Sequence, residues 1–297
     1  MPRVGPLLLG IQTDRGLVRE ENEDAYGIPS VSLELLTARG YLIAVADGVG
    51  GHGNGQEASA LVITTLYEQY YGAEPITLLR AIQMSNMAVR RQAMQASERN
   101  HRMSSTLVTL LFHDRTLQIA HVGDSRAYMV RQGVIYQLTS DHSLVQEQVL
   151  AGLLNAESAR SHQRKNIITR AVGSDSTVDV DIATNEDLQP GDIFVLCSDG
   201  LTNHVDDATI ADTASRYAPE QATSLLVQLA NQAGGLDNIT VAVICYSPRT
   251  DHSPFQISGS SRGRGWEYTL LWLLLAIGIG GTVGIIVMIA YLYLASR

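Results

Sequence analysis

Several short apolar runs in this chain end or begin at an aspartate. Tyr41–Ala46 leads into Asp47-Gly48, and Leu117–Val122 into Gly123-Asp124-Ser125. Ile193–Cys197 leads into Ser198-Asp199-Gly200, while Asp237-Asn238 stands just before Ile239–Cys245. Near the N-terminus, Arg19-Glu20-Glu21-Asn22-Glu23-Asp24 sets four acids beside an arginine. A sheet gathers the ends of its strands, so this spacing predicts that the carboxylates meet at one edge. Convergent carboxylates repel one another, and burial sharpens the repulsion. Holding several of them ionised calls for divalent cations. An all-oxygen set without Cys or His suits Mg²⁺ or Mn²⁺ rather than Zn²⁺. Gly48 lets the backbone approach closely, which adds its carbonyl as a candidate ligand. Taken singly, each feature has a plainer reading: Asp-Gly is foremost a turn signal, and an acidic cluster is usually a solvated face. The recurrence of one placement is what argues for chemistry.

The elements that must carry these residues follow from periodicity. Apolar runs at Tyr41–Ala46, Ser105–Phe112, Leu117–Val122, Arg126–Val130, Ile193–Cys197 and Ile239–Cys245 read as strands. Gln56–Tyr71, Ile76–Ser97, Asp206–Tyr217 and Pro219–Ala233 read as helices. Short polar turns such as Arg131-Gln132-Gly133 make the strands within 105–138 antiparallel neighbours. Helices come in pairs and strands in runs, so the pattern predicts α+β layers rather than a doubly wound parallel sheet.

These residues carry a resemblance. Thr13-Asp14-Arg15-Gly16-Leu17-Val18-Arg19 with Asn22-Glu23-Asp24 resembles the opening motif of the metal-dependent PP2C (PPM) protein serine/threonine phosphatases. Ala46-Asp47-Gly48-Val49-Gly50-Gly51-His52 is similar to the second motif of their bacterial branch. Gly123–Tyr128, Leu138–Ser143, Cys197–Thr202 and Asp237–Val241 follow in the family's order, and the likeness spans roughly residues 7–246. It implies an αββα sandwich with two core Mn²⁺ or Mg²⁺ ions at one end. By motif position Asp47 would bridge both ions, with Asp199 and Asp237 completing one site and Glu23 and the Gly48 carbonyl serving the other. Asp124 would share a third, weaker ion with Asp199. Asp24 would orient the attacking water, and Arg19 would grip the substrate phosphate as a planar guanidinium does. A hydroxide bridging the ions would then attack phosphorus in line, hydrolysing phosphoserine and phosphothreonine without a phosphoenzyme. Partners would be phosphorylated proteins, Ser/Thr kinases and their substrates among them. Two departures stand out. Val49 replaces a histidine that some relatives carry after Asp-Gly, leaving His52 as an unassigned loop histidine, and Arg102-Met103-Ser104-Ser105-Thr106 stands where relatives are glycine-rich. Residues 143–170 would form the flap beside the site.

Two rival readings are weaker. Gly48–Gly53 fits a GxGxxG nucleotide loop, but Asp47 would repel a pyrophosphate, and Glu68 falls inside a helix where a ribose-binding acid should end a strand. A catalytically silent, membrane-tethered phosphopeptide-binding module would be free to lose Arg19 or any of the acids, and all are present.

Composition narrows the rest. With 45% hydrophobic and 17% charged residues the chain is not disordered. A net charge of -9 with 6% aromatics makes nucleic acid a poor partner. Two cysteines exclude a disulfide scaffold, and both Cys197 and Cys245 read as buried thiols in a reducing compartment. Residues 1–246 read as the catalytic domain and 247–265, rich in Ser, Pro, Gly and Arg, as a flexible linker. Residues 266–297 read as a membrane anchor. Thr269–Ala295 is uncharged and, as a helix, about 40 Å long, enough to span a bilayer core of about 30 Å. Arg249, Arg262 and Arg264 lie on its near side, which predicts a single-pass protein of the cell membrane with the catalytic domain in the cytoplasm. Gly280 and Gly284 form a GxxxG pair, a candidate seam for a weak dimer, although glycine is common in such helices.

Overall fold

The structure, a computed structural model, describes residues 3–50, 54–95, 103–155, 158–159, 162–185 and 187–248. Two compact units divide the chain, Met1–Arg249 and Thr250–Arg297. The second lies outside the described residues, and with it the predicted span. Among the described residues no helix is long and apolar enough to cross a membrane.

In chain order the strands are β1 (Arg3–Val4), β2 (Leu7–Asp14), β3 (Asp24–Gly27), β4 (Tyr41–Val49), β5 (Ser104–Ser105) and β6 (Leu107–His113). They continue with β7 (Thr116–Val122), β8 (Arg126–Arg131), β9 (Val134–Gln137), β10 (Asp181–Asn185), β11 (Ile193–Cys197) and β12 (Ile239–Tyr246). One sheet runs β1-β2-β12-β11-β8-β9 and the other β10-β7-β6-β4-β3, with β5 on the end of β4. All the pairings are antiparallel.

Strand alternation sorts the apolar side chains into three layers. Ile43 and Val45 of β4 meet Phe194, Leu196, Ala242 and Ile244 between the sheets. Leu42, Ala44 and Ala46, on the opposite face of β4, pack under helices Asn54–Tyr70 and Leu78–Gln95. Val195, Cys197, Val241 and Val243 pack in the same way under helices Asp207–Arg216 and Pro219–Gln232. The result is the expected α+β architecture, an αββα sandwich. Phe112 and Phe194 join the sheets edge to face with centroids 5.3 Å apart, a contact worth about 1 kcal/mol beyond its buried area.

The structure corrects three expectations. The strands within 105–138 are not all neighbours: β6 pairs with β7 and β8 with β9, but β7 and β8 lie in different sheets. The chain changes sheet at Gly123, whose φ of +103° is open to glycine, and Asp124 sits on that crossing. Leu7–Asp14, which is not among the strands expected from the sequence, is a full strand paired along its length with β12. Its Gly10 has no room for a Cβ against the Pro219 backbone, so the helix from Pro219 lies directly on the strand. Cys197 is buried, but Cys245, near the end of β12, is only half-buried; neither forms a disulfide.

Candidate metal centre

The acids do gather where the strands end. Asp24 and Asp47 stand directly opposite each other across β3 and β4. Asp199 opens the turn after β11, and Asp237 precedes β12 in the facing sheet. A hydroxyl ties the two sheets together here: Ser198 Oγ donates to Asp24 Oδ2 at 2.7 Å and accepts from the Thr240 amide at 3.0 Å. Asn238 secures the N-terminal loop. Its Oδ1 accepts from the Glu23 amide at 2.7 Å, and its Nδ2 donates to the carbonyls of Arg15 and Glu21, both at 2.9 Å. Thr106 Oγ1 accepts from the Asp47 amide at 2.9 Å, while the Thr106 amide and Ser105 Oγ both donate to the Asp47 carbonyl. Ser105 and Thr106 therefore hold the main chain of Asp47. The sequence gives Ser198, Thr106 and Asn238 no role, although Ser198 and Asn238 lie within the Cys197–Thr202 and Asp237–Val241 motifs.

The electrostatics show how closely these acids feel one another. Burial pushes the Asp47 carboxyl well above the usual carboxylate range, and Asp24, Asp199, Asp124 and Asp237 push it further. Burial lifts Asp24 to about 7 against the hydrogen bonds from Ser198 and Thr240, with Asp199 and Asp237 adding to the rise. Asp124 rises to about 8, through burial first and then Asp199 and Asp141. Asp199 rises to about 6 through burial and Asp237, restrained by the 2.9 Å hydrogen bond from Asn203 and by the charges of Arg19 and Lys165. Burial also raises Glu23, opposed by Arg19 and the Gly55 amide. Asp47, Asp199, Asp124 and Asp24 are thus one electrostatic group, as the spacing predicts.

The donor set fits hard divalent cations. It is all oxygen, its charges are costly to keep ionised among themselves, and Asp24 Oδ1 is buried without a hydrogen-bond partner. Glu23 Oε1 and the Gly48 carbonyl oxygen lie 2.5 and 2.9 Å from the point that a Cβ on Gly55 would occupy. The two groups assigned to one ion therefore border one small cradle that only glycine leaves open. The acids converge without being packed to ligand distance. Among the described residues, the trio of ligand atoms lying mutually within 4.8 Å is instead His121, His142 and Asp181.

Arg19 sits at the rim, its side chain 47% exposed. It donates to Asp237 Oδ2 at 2.7 Å and stands 4.0 Å from Glu23 Oε2. Beside the acids opens a cavity of about 400 Å³ bordered by Asp124, Asp199, Asn203, Ser143 and Lys165. The last two belong to the predicted flap, which contains the helix Leu144–Leu150 and is closed at its base by a bridge between Ser143 and Ile168. His52 lies outside the described residues.

Comparison with known proteins bears on the family and the fold. Residues 14–239 match the family model described as Protein phosphatase 2C. The protein phosphatase PhpP of Streptococcus pneumoniae is 36% identical over 244 residues, covering 80% of this chain and 96% of PhpP. The serine/threonine phosphatase structure from S. agalactiae superposes with a TM-score of 0.74 at 35% identity, over 81% of this chain and all of that one. The catalytic domain of the phosphatase PstP, solved with two manganese ions, gives a TM-score of 0.66 at 33% identity, over 80% of this chain and 97% of that one.

Proposed function

The chain belongs to the protein phosphatase 2C family and is a metal-dependent serine/threonine protein phosphatase, and we propose that Asp47, Asp199, Asp237, Glu23 and the Gly48 carbonyl hold its two core ions. The observation that carries this assignment is the convergence of acids from separate strand ends: Asp24 faces Asp47, Ser198 beside Asp199 reaches Asp24, and one buried Asp24 oxygen has no hydrogen-bond partner. Two divalent cations in such a set supply Lewis acidity: they acidify water near neutral pH and draw negative charge from phosphoryl oxygens.

The chain's own residues do the rest. Arg19, half-exposed at the rim, binds the phosphoryl oxygens of the substrate, which requires it to swing off Asp237. Asp24 orients the attacking water, and the hydrogen bond from Ser198 keeps it aimed. Asp124 and Asp199, which both border the cavity, would hold a third, weaker ion. Asn238 keeps the loop bearing Arg19 and Glu23 in register with Asp237. No cysteine takes part: Cys197 is buried and its thiol is pushed up to about 12 by that burial.

The substrates are phosphoproteins, the enzyme opposes a Ser/Thr kinase at the same membrane, and the uncharged run 269–295 anchors it there with its catalytic domain in the cytoplasm. Tethering raises the local concentration of membrane-bound substrates. Turnover of a phosphothreonine peptide by the full chain tests the chemistry: activity with Mn²⁺ that EDTA abolishes supports it, and metal-independent turnover refutes the metal roles. Membrane fractionation of the full chain against one ending at residue 248 tests the anchor, which fails if both remain in the supernatant.

A further inference from the structure

His142 stands outside the acid cluster yet touches both things that border it. Its main-chain amide donates to the Gly123 carbonyl at 2.9 Å, and its ring Nδ1 accepts from the Gly123 amide at 3.0 Å. Gly123 is therefore bracketed by one residue, and Asp124 is the next residue along. Gly123 also has no room for a side chain, since a Cβ would stand 2.7 Å from Thr106. On its other side, the His142 carbonyl accepts from the Thr169 amide at 2.8 Å, just where Ser143 and Ile168 close the base of the flap. His142 Nε2 lies 3.3 Å from Asp181 Oδ2, and Arg170 donates to the other Asp181 oxygen at 2.6 Å.

The close trio His121, His142 and Asp181 is not a metal site. The Gly123 amide points its hydrogen at His142 Nδ1, and Nε2 has Arg170 at 3.1 Å and Asp181 at 3.3 Å. Neither ring nitrogen is left bare for a metal. Asp181 is already engaged by a guanidinium, and His121 uses Nε2 on the Ser140 carbonyl at 2.9 Å while its ring stacks on His142 with centroids 4.7 Å apart. The cluster is a hydrogen-bonded clamp.

We propose that His142 is a positioning residue that, through Gly123, sets where the Asp124 carboxylate stands beside Asp199 and couples that setting to the base of the flap. The inference rests on the phosphatase reading, which gives Asp124 an ion to hold. The two ring nitrogens have separable duties. An asparagine places its Oδ1 where Nδ1 was and keeps the acceptor for Gly123. A glutamine reaches toward Asp181 and offers Gly123 nothing.

The test is calorimetric titration of the full chain with Mn²⁺, comparing wild type, Asp124→Asn, His142→Ala, His142→Asn and His142→Gln. Wild type should show tight binding plus a weaker event that Asp124→Asn removes. His142→Ala and His142→Gln should weaken that event about 5- to 10-fold, as expected for loss of one hydrogen bond to a buried amide, and leave the tight binding unchanged. His142→Asn should restore it to within about twofold, as one retained hydrogen bond requires. If His142→Ala does not fold, the contrast between Asn and Gln decides. The proposal is overturned if Asn and Gln bind alike, if tight and weak events shift together, or if wild type shows no event that depends on Asp124. A wild-type chain that binds no Mn²⁺ tightly overturns the phosphatase assignment itself, a distinguishable result.

Discussion

Stripped of divalent ions, this protein should lose stability as pH rises from about 4 to 8, the opposite of ordinary acid denaturation. Asp24 has a folded value of about 7, raised chiefly by burial, against about 3.8 in an unfolded chain. Between those values the folded state binds the proton and the unfolded state does not. The native state therefore holds more protons, and stability falls with increasing pH across that window. Three pH units on one group correspond to about 4 kcal/mol. Asp199, raised to about 6, and Asp124, raised to about 8, act in the same direction and extend the window upward. For a domain of this size about 4 kcal/mol is on the order of 10 °C in melting temperature. Mn²⁺ should reverse the slope, because an ion competes with the protons and binds better as they leave. The assay is thermal unfolding of the full chain at pH 5, 6, 7 and 8, in EDTA and in Mn²⁺, with Asp24→Asn alongside. The metal-free slope should be negative and shallower in the variant. A metal-free melting temperature that is flat or rises over this range refutes the claim that these acids are buried together.

Asp199→Asn removes one charge from the proposed core and should lower kcat at least about 100-fold while circular dichroism stays unchanged, in keeping with the several kcal/mol a catalytic ion contributes; undiminished turnover in saturating Mn²⁺ would take Asp199 out of the core. Asn238→Ala loses three side-chain hydrogen bonds to the loop carrying Arg19 and Glu23. It should cost about 2–4 kcal/mol in urea unfolding, together with a fall in kcat/KM, and a neutral effect on both would contradict its role as a clamp. Thiol-blocking reagents should leave phosphatase activity intact, because Cys197 is fully buried beneath a helix pair; inactivation that substrate protects against would point to cysteine chemistry.

What the sequence reveals and hides follows from simple physics. β11 and β12 are buried on both faces, so continuous apolar runs mark them almost to the residue. β2 is hidden because Gln12, Thr13 and Asp14 form its half-buried end and break the apolar pattern. β9 and β10 lie at sheet edges and are largely exposed, so their residues carry little apolar signal. The acids are legible because each stands at the end of such a run. Ser198 is not, since its partner Asp24 is 174 residues away and nothing local calls for a hydroxyl there. The crossing at Gly123 is hidden for a related reason: a three-residue link reads as a hairpin, whereas the glycine's positive φ carries the chain into the other sheet.

The most direct test is a crystal of the protein soaked in Mn²⁺ and measured at the manganese absorption edge. The account predicts two strong anomalous peaks sharing Asp47, one also reaching Asp199 and Asp237 and the other Glu23 and the Gly48 carbonyl, each with oxygen ligands at about 2.1 Å. Manganese at His121, His142 and Asp181 instead, or no peak among the strand-end acids, would contradict it.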